Sequence, residues 1–461
     1  MRASAGSAYT RTLGARLLSE ANNIKRTPER LAEELGVPGD RIAAAVAGEL
    51  APAEYRGLFE AVSGRYPIAF GRLWIDPPDT EGGVVVMTAA ASEVSARVFA
   101  RPAADGRLTP YYEYRDAAMS RAAPFRPEWL RMLRVVGDLD PDHPDVAYNK
   151  GHFLHQTTLF LGPVNFYWQV DGKSHAVALD AGDSNYITPF WPHSFTARDA
   201  ARPAAIVAVT YSADVARAQD ELERVGPGAA EEMALDLRRE GAAHAGLLRR
   251  HLAHEAMPEA RFVDLCLAQG LDAARVGELL AGRAVPGAGE IAAMAAVLCV
   301  LPRDLMPPTR SHADEVVVLR GAQAERYPYP EAARPCYEIT RLARARHQPA
   351  LKSFLVHVAP GQDTTAATTR VGLHQFLYNA GDAVVRLVSD DGAGARSTAL
   401  APGDSAYVAP MVACRFESDR APGEVYVVRV PGSLHAEAVF ELSAMAPPGR
   451  GRSARETTRW F

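Results

Sequence analysis

The sequence predicts an α+β chain built as a tandem repeat, each half a short helical module followed by a β-rich module. Three observations carry this reading. The octapeptide Gly182-Asp183-Ser184-Asn185-Tyr186-Ile187-Thr188-Pro189 returns as Gly403-Asp404-Ser405-Ala406-Tyr407-Val408-Ala409-Pro410, and both copies run on to a phenylalanine, Phe195 and Phe416. Upstream, His155-Gln156 with Gly162 returns at the same spacing as His374-Gln375 with Gly381. Further upstream, Leu31-Ala32-Glu33-Glu34-Leu35-Gly36-Val37 and the helix-like stretch 41–48 match 263–271 and 275–282. A chain of 461 residues also exceeds what one core organises.

In chain order, the expected divisions are a helical module at 1–75, a β module at 76–212, and a helical linker with a second helical module at 213–310. A second β module at 311–445 and a flexible tail at 446–461 complete the chain. The stretch Arg26-Thr27-Pro28-Glu29-Arg30-Leu31-Ala32-Glu33-Glu34-Leu35-Gly36-Val37 looks like the first helix and turn of a helix-turn-helix of the phage-repressor type. Reading DNA would need a second helix with basic residues on its exposed face. The candidate, Asp40-Arg41-Ile42-Ala43-Ala44-Ala45-Val46-Ala47-Gly48, is mostly alanine with one arginine, and its counterpart at 273–282 is no richer. A scaffold is therefore expected, not a nucleic-acid partner; a sensor that combines such a module with a β domain is the competing class. The β modules show strand patterning bounded by Gly, Pro and Asp at 84–88, 158–170, 204–211, 353–358 and 425–430. Residues 213–252 are rich in Ala, Glu, Arg and Leu, which favours helix.

Composition narrows the function classes. Hydrophobic content of 48% and charged content of 23% are those of an ordinary globular protein, and a formal charge of −5 argues against non-specific binding to nucleic acid or anionic membrane. No apolar run approaches the roughly 20 residues that span a bilayer, so no membrane partner is expected. Met1-Arg2-Ala3-Ser4-Ala5-Gly6 lacks the apolar core of a signal peptide. Cys266, Cys299, Cys336 and Cys414 are far apart and form no CxxC pair. A reduced, cytoplasmic location is the expectation.

The chemistry concentrates in Asn149-Lys150-Gly151-His152-Phe153-Leu154-His155-Gln156 and in Gly182–Phe195. Together these resemble the two halves of a cupin metal site, on a double-stranded β-helix or jelly roll. On a strand, alternation sends residues 152, 154 and 156 one way and His155 the other. His152, Gln156 and His193 can then share an interior. Two neutral imidazoles and an amide oxygen suit a divalent metal such as Fe(II) and leave positions open for substrate and oxygen. A 2-His-1-carboxylate triad is the usual arrangement; here the set is 2-His-1-Gln. In the second half, His152 falls opposite Val371 and His193 opposite Cys414, so that β module is expected to lack a metal site, with His374 as a core or surface residue.

A helical module, a lone Lys25 ahead of it and a cupin, repeated in tandem, resemble the phosphonate-processing non-haem iron enzymes, the family of hydroxyethylphosphonate dioxygenase and methylphosphonate synthase. Asn149-x-Gly151-His152, Leu161-Gly162-Pro163, Gly182-Asp183-Ser184, Pro189 and Pro192-His193-Ser194 carry the resemblance. The dioxygenase pattern has a Glu near Ile187 and Thr188, where this chain has no carboxylate; a Gln four residues after the first His is the synthase pattern. The resemblance implies Fe(II)- and O2-dependent cleavage of the C–C bond of 2-hydroxyethylphosphonate to methylphosphonate and CO2. No 2-oxoglutarate is needed, since the substrate supplies all four electrons. The alternative product pair is hydroxymethylphosphonate and formate. It further implies a phosphonate pocket of Lys25, Tyr114 and Asn149, an arginine (Arg107, with Arg101 competing) and a hydroxyl from Thr210, where the family serine falls on Ala208. A homo-oligomer is expected on the same ground.

Overall fold

The computed structural model describes residues 7–308 and 315–460, which form two compact units: Met1–Glu81 with Ser120–Ala122 and Gly432–Phe461, and Gly82–Met119 with Ala123–Pro431. The stretch 1–6, read above for the absence of a signal peptide, lies outside the described residues, as does 309–314 with the expected 310/311 boundary. No described helix is long and apolar enough to cross a membrane.

The first unit is helical. Pro28–Leu35 begins on Thr27, whose hydroxyl accepts the Arg30 amide, takes proline at its first turn and ends on Gly36 in the left-handed conformation. Gly39–Ala47 comes next, burying Ile42 and Ala45 in a core shared with Leu13, Leu31, Tyr55 and Phe59. The tail departs from the expectation of a loose segment: Ala436–Ala444 and Pro447–Ala454 are helices. The buried Asn22 amide anchors the chain beyond them, donating to the Thr458 carbonyl (2.9 Å) and accepting from the Trp460 amide (3.2 Å). Those bonds satisfy backbone that composition alone suggested would be left to solvent.

The second unit contains two antiparallel sandwiches. A seven-stranded sheet runs Val316–Leu319, Ser184–Ile187, His155–Phe160, Ala205–Tyr211, Phe125–Met132, Leu108–Asp116, Arg97–Pro102. Across a core of Tyr112, Phe160, Phe166, Ile187 and Phe195 lies the three-stranded sheet Lys173–Leu179, Val164–Val170, His193–Ala197. The strand patterning read at 158–170 resolves into two strands in different sheets, parted at Pro163, which has no amide to continue a ladder. The second half repeats the plan, with seven strands from Val84–Met87 to Arg326–Glu331 facing the four-stranded sheet built on Val385–Asp390. The two large sheets pack on each other through Phe125, Tyr186, Val209, Tyr211, Phe376, Tyr407 and Tyr426. Between the β halves lie Glu240–His254, Glu259–Ala268, Ala273–Leu280 and Ala288–Val297.

The halves exchange edge strands. Val84–Met87 pairs with Ser405–Val408 of the second sheet, and Val316–Leu319 pairs with Ser184–Ile187 of the first. The repeated Gly-Asp-Ser turn holds the exchange in place. Asp183 accepts from the amides of Asp180 (2.9 Å) and Gly321 (2.8 Å) and from Arg320 (3.0 Å), while Asp404 accepts from the amides of Ala401 and Ala89. Ser184 accepts the Ala343 amide as Ser405 accepts that of Ala118. Each Asp and Ser therefore reaches into the other half of the repeat, so the motif is architectural. Asp183→Ala leaves three donors without their acceptor at a 7% exposed site. We expect a loss of about 2–4 kcal/mol in urea unfolding; a change under about 0.5 kcal/mol would contradict this account.

Candidate metal centre

The strand that carries the site begins at His155, not at His152. His152 lies ahead of a bend at Phe153 and Leu154, outside the strand, so strand alternation does not aim this ring. Its Nδ1 bonds the Leu154 carbonyl at 2.7 Å, and the Phe190 amide donates to the His152 carbonyl at 2.9 Å. Gly151 makes that approach possible: its φ is 73°, and a Cβ there would stand 2.3 Å from the Phe190 carbonyl carbon. Gln156 is on the strand, opposite Ile187 on one side and Thr210 on the other. His193 opens the strand His193–Ala197 of the facing sheet.

These elements bring three donor atoms together. His152 Nε2 and Gln156 Oε1 are 3.1 Å apart, and the rings of His152 and His193 stand 5.0 Å apart and nearly perpendicular. His193 Nδ1 bonds the Trp191 carbonyl at 2.9 Å, as His152 Nδ1 bonds that of Leu154. A carbonyl only accepts, so both Nδ1 atoms carry the proton and both Nε2 atoms present a lone pair. Gln156 Nε2 donates to Thr158 Oγ1 at 2.9 Å, which turns Oε1 toward His152. Burial, helped by the neighbouring His152 ring, drives the His193 imidazole down to about 3, so it stays neutral, the form that ligates a metal. Two donors at right angles on bonds of about 2.1 Å stand about 3.0 Å apart, close to the His152–Gln156 separation. The residues present fit a divalent ion of borderline hardness. Among the described residues no three of His, Cys, Asp and Glu gather in a way that could hold a metal ion.

Asn149 belongs to the same arrangement. Its Oδ1 accepts from the amides of Gly151 and His193 (both 2.9 Å), and its Nδ2 donates to His193 Nε2 at 3.0 Å. Tyr114 packs edge-on to Tyr112 and Phe99, and burial, with the charge of Glu128, raises its hydroxyl to about 12, so it is a neutral donor. Arg107 is exposed in the turn between Arg97–Pro102 and Leu108–Asp116, whereas the charge of Arg101 bears on both Tyr114 and His193. The Arg101 guanidinium donates to the Tyr148 carbonyl at 3.4 Å. Thr210 shares a face with Gln156 but spends its hydroxyl on the Arg126 carbonyl at 3.1 Å. Lys25 belongs to the first unit, where its backbone is left-handed (φ 58°) and its Nζ donates to the Asn23 carbonyl and lies 5.6 Å over the Trp460 ring.

Sequence reasoning missed three groups. Thr158 orients the Gln156 amide, and its position two residues after Gln156 was the available signal. Ser194 Oγ shares hydrogen bonds with the hydroxyls of Tyr111 and Tyr112, at 2.7 and 3.3 Å, directly after His193. Asn185 alternates with Tyr186 and so shares the Ile187 face. Its amide is fully buried with no hydrogen-bond partner for either polar atom, an unmet demand inside the first sandwich. His155, on the opposite face, bonds the Tyr186 hydroxyl at 2.7 Å, and His374 repeats this with Tyr407 at 2.8 Å.

No family model matches the chain. It is 33% identical over 453 residues to the methylphosphonate synthase of Nitrosopumilus maritimus (strain SCM1), covering 97% of this chain and 95% of that protein. Among solved structures it is similar to Streptomyces albus HEPD with substrate 2-hydroxyethylphosphonate and Fe(II) bound. That match has a TM-score of 0.88 at 35% identity, over 98% of this chain and 99% of that one. Native PhpD with cadmium atoms shares the fold, with a TM-score of 0.75 at 20% identity over 96% and 99%.

Proposed function

The chain belongs to the family of methylphosphonate synthase and 2-hydroxyethylphosphonate dioxygenase, and from that premise we propose that it is a non-haem iron oxygenase that converts 2-hydroxyethylphosphonate and O2 to methylphosphonate, CO2 and water. One observation carries the choice of product: the third donor is the neutral Gln156, held by Thr158, and the residue opposite it is the apolar Ile187.

In this reading His152, Gln156 and His193 hold Fe(II), which supplies the redox centre for reducing dioxygen and cleaving the substrate C–C bond. The chain's own groups do the rest. Asn149 Nδ2, freed from His193 Nε2 when that atom ligates, is a donor for a substrate oxygen, and its Oδ1 stays fixed by two backbone amides. Tyr114, protonated at any working pH, adds a neutral donor. Arg101 supplies positive charge toward the phosphonate, which would otherwise be costly to bury. The unpartnered Asn185 amide accepts a further polar atom of substrate or a bound water.

The test is phosphorus NMR of protein loaded anaerobically with Fe(II), then given 2-hydroxyethylphosphonate and oxygen. We expect a methylphosphonate signal in the wild type and none in Gln156→Ala. Hydroxymethylphosphonate as the main product would remove the argument from the neutral ligand and leave the dioxygenase reading.

A further inference from the structure

The second sandwich contains a cavity of about 310 Å³ that no step above uses. The repeat shows what it has become. Gln375 corresponds to Gln156 and Cys414 to His193, and the ladder pairs Gln375 with Arg429 as it pairs Gln156 with Thr210. An arginine therefore enters the place where the first sandwich gathers its donor atoms. Its Nε donates to Gln375 Oε1 at 2.8 Å, its Nη2 to Thr369 Oγ1 at 3.2 Å, and the guanidinium lies 5.2 Å from the Phe354 ring centroid. Both hydrogen-bond acceptors are neutral.

The surrounding charge is one-sided. Among the described residues the cavity lining carries Arg341, Arg344, Lys352, Arg415 and Arg429 and no carboxylate. Arg341 and Arg415 are answered from outside the lining by Glu325 and Glu417. Arg429 has no carboxylate within ion-pair distance among the described residues, and Lys352 is its direct partner on the neighbouring strand. Like charges placed directly opposite on a sheet destabilise it, and a half-buried cation without a counter-charge costs more than it returns. Burial accordingly lowers the Arg429 pKa. Nothing in packing demands this pair, since valine or threonine would fill an antiparallel ladder at no electrostatic cost.

We propose that this cavity is an anion site in which Lys352 and Arg429 bind a small dianion of the phosphate or phosphonate class. The two cations match a dianion in charge, and a guanidinium with two of its five N–H donors engaged keeps the others for tetrahedral oxygens. Tyr329 and Phe354 give the cavity apolar walls, which suit an organic substituent on phosphorus. The inference stands on this sandwich alone and does not depend on the reaction proposed for the first.

The experiment is isothermal titration of the metal-free full chain with inorganic phosphate and, separately, with 2-hydroxyethylphosphonate. Variants Arg429→Gln, Lys352→Gln and His193→Ala are run beside the wild type, with thermal melts to confirm folding. We expect saturable phosphate binding in the wild type and in His193→Ala, and roughly tenfold or greater weakening in Arg429→Gln and Lys352→Gln. Tighter binding of the organic anion that is equally sensitive to Lys352 identifies a phosphonate as occupant, and tighter phosphate binding identifies the inorganic ion. Unchanged binding in both cation variants, binding lost in His193→Ala, or no saturable binding in the wild type overturns the proposal. Lys352→Gln keeps the test decisive should Arg429→Gln not fold.

Discussion

His193→Ala is expected to abolish turnover and to lower Fe(II) affinity by at least about 100-fold. Losing an outer-shell partner of a metal ligand already costs about 10- to 100-fold, and here the imidazole itself is removed. His193 is 4% exposed, its ring is set by the Trp191 carbonyl, and its neutral state is enforced by burial. Alanine would leave two donors, His152 Nε2 and Gln156 Oε1, on a single strand and the segment before it. It would also leave Asn149 Nδ2 without its acceptor. Equilibrium dialysis with Fe(II), together with the phosphorus NMR assay, reads both effects. Wild-type iron affinity in the variant would remove His193 from the ligand set.

Gly151→Ala is expected to disable the same site without touching a donor atom. The new Cβ would stand 2.3–2.5 Å from backbone atoms of Phe190, and the residue would have to hold φ 73°. The left-handed conformation alone costs roughly 1–2 kcal/mol, and backbone cannot yield as a side-chain end can. Residues 149–152 would have to lift away from Phe190, carrying His152 and the Gly151 amide that fixes Asn149. We expect a loss of about 3 kcal/mol or more in stability and of most iron binding. Gly182→Ala is the control. Its φ is 85° but nothing lies within 4 Å of the added Cβ, so only the conformational cost should appear. Equal effects in the two variants would show that the Phe190 contact is not what makes position 151 special.

The legible and illegible parts of this protein divide along physical lines. His155 and Gln156 obey strand alternation, and their faces can be read directly. His152 stands beside Gln156 for a different reason: it precedes a bend that leads into the strand, and a carbonyl two residues on sets its ring. Sequence leaves Arg107 and Arg101 in competition, whereas in the structure Arg107 is exposed in a turn and Arg101 lies on the strand Arg97–Pro102. The edge exchange is also hidden. Val84–Met87 and Val316–Leu319 are four-residue apolar strands that would suit either sheet, and the partner is decided by Asp404 reaching Ala89 and Asp183 reaching Gly321.

What the sequence determined by itself is whatever local periodicity and internal repetition can encode: two like halves, a helical segment before each set of strands, and one set of His152, Gln156 and His193 against a copy that has lost both histidines. Tertiary structure alone decided that the halves trade strands, and that Arg429 stands beside Gln375 in the second sandwich. Each of these depends on groups tens to hundreds of residues apart in the chain. Hydrogen-bond direction and unbalanced charge are properties of such pairs, and no window of sequence contains both partners.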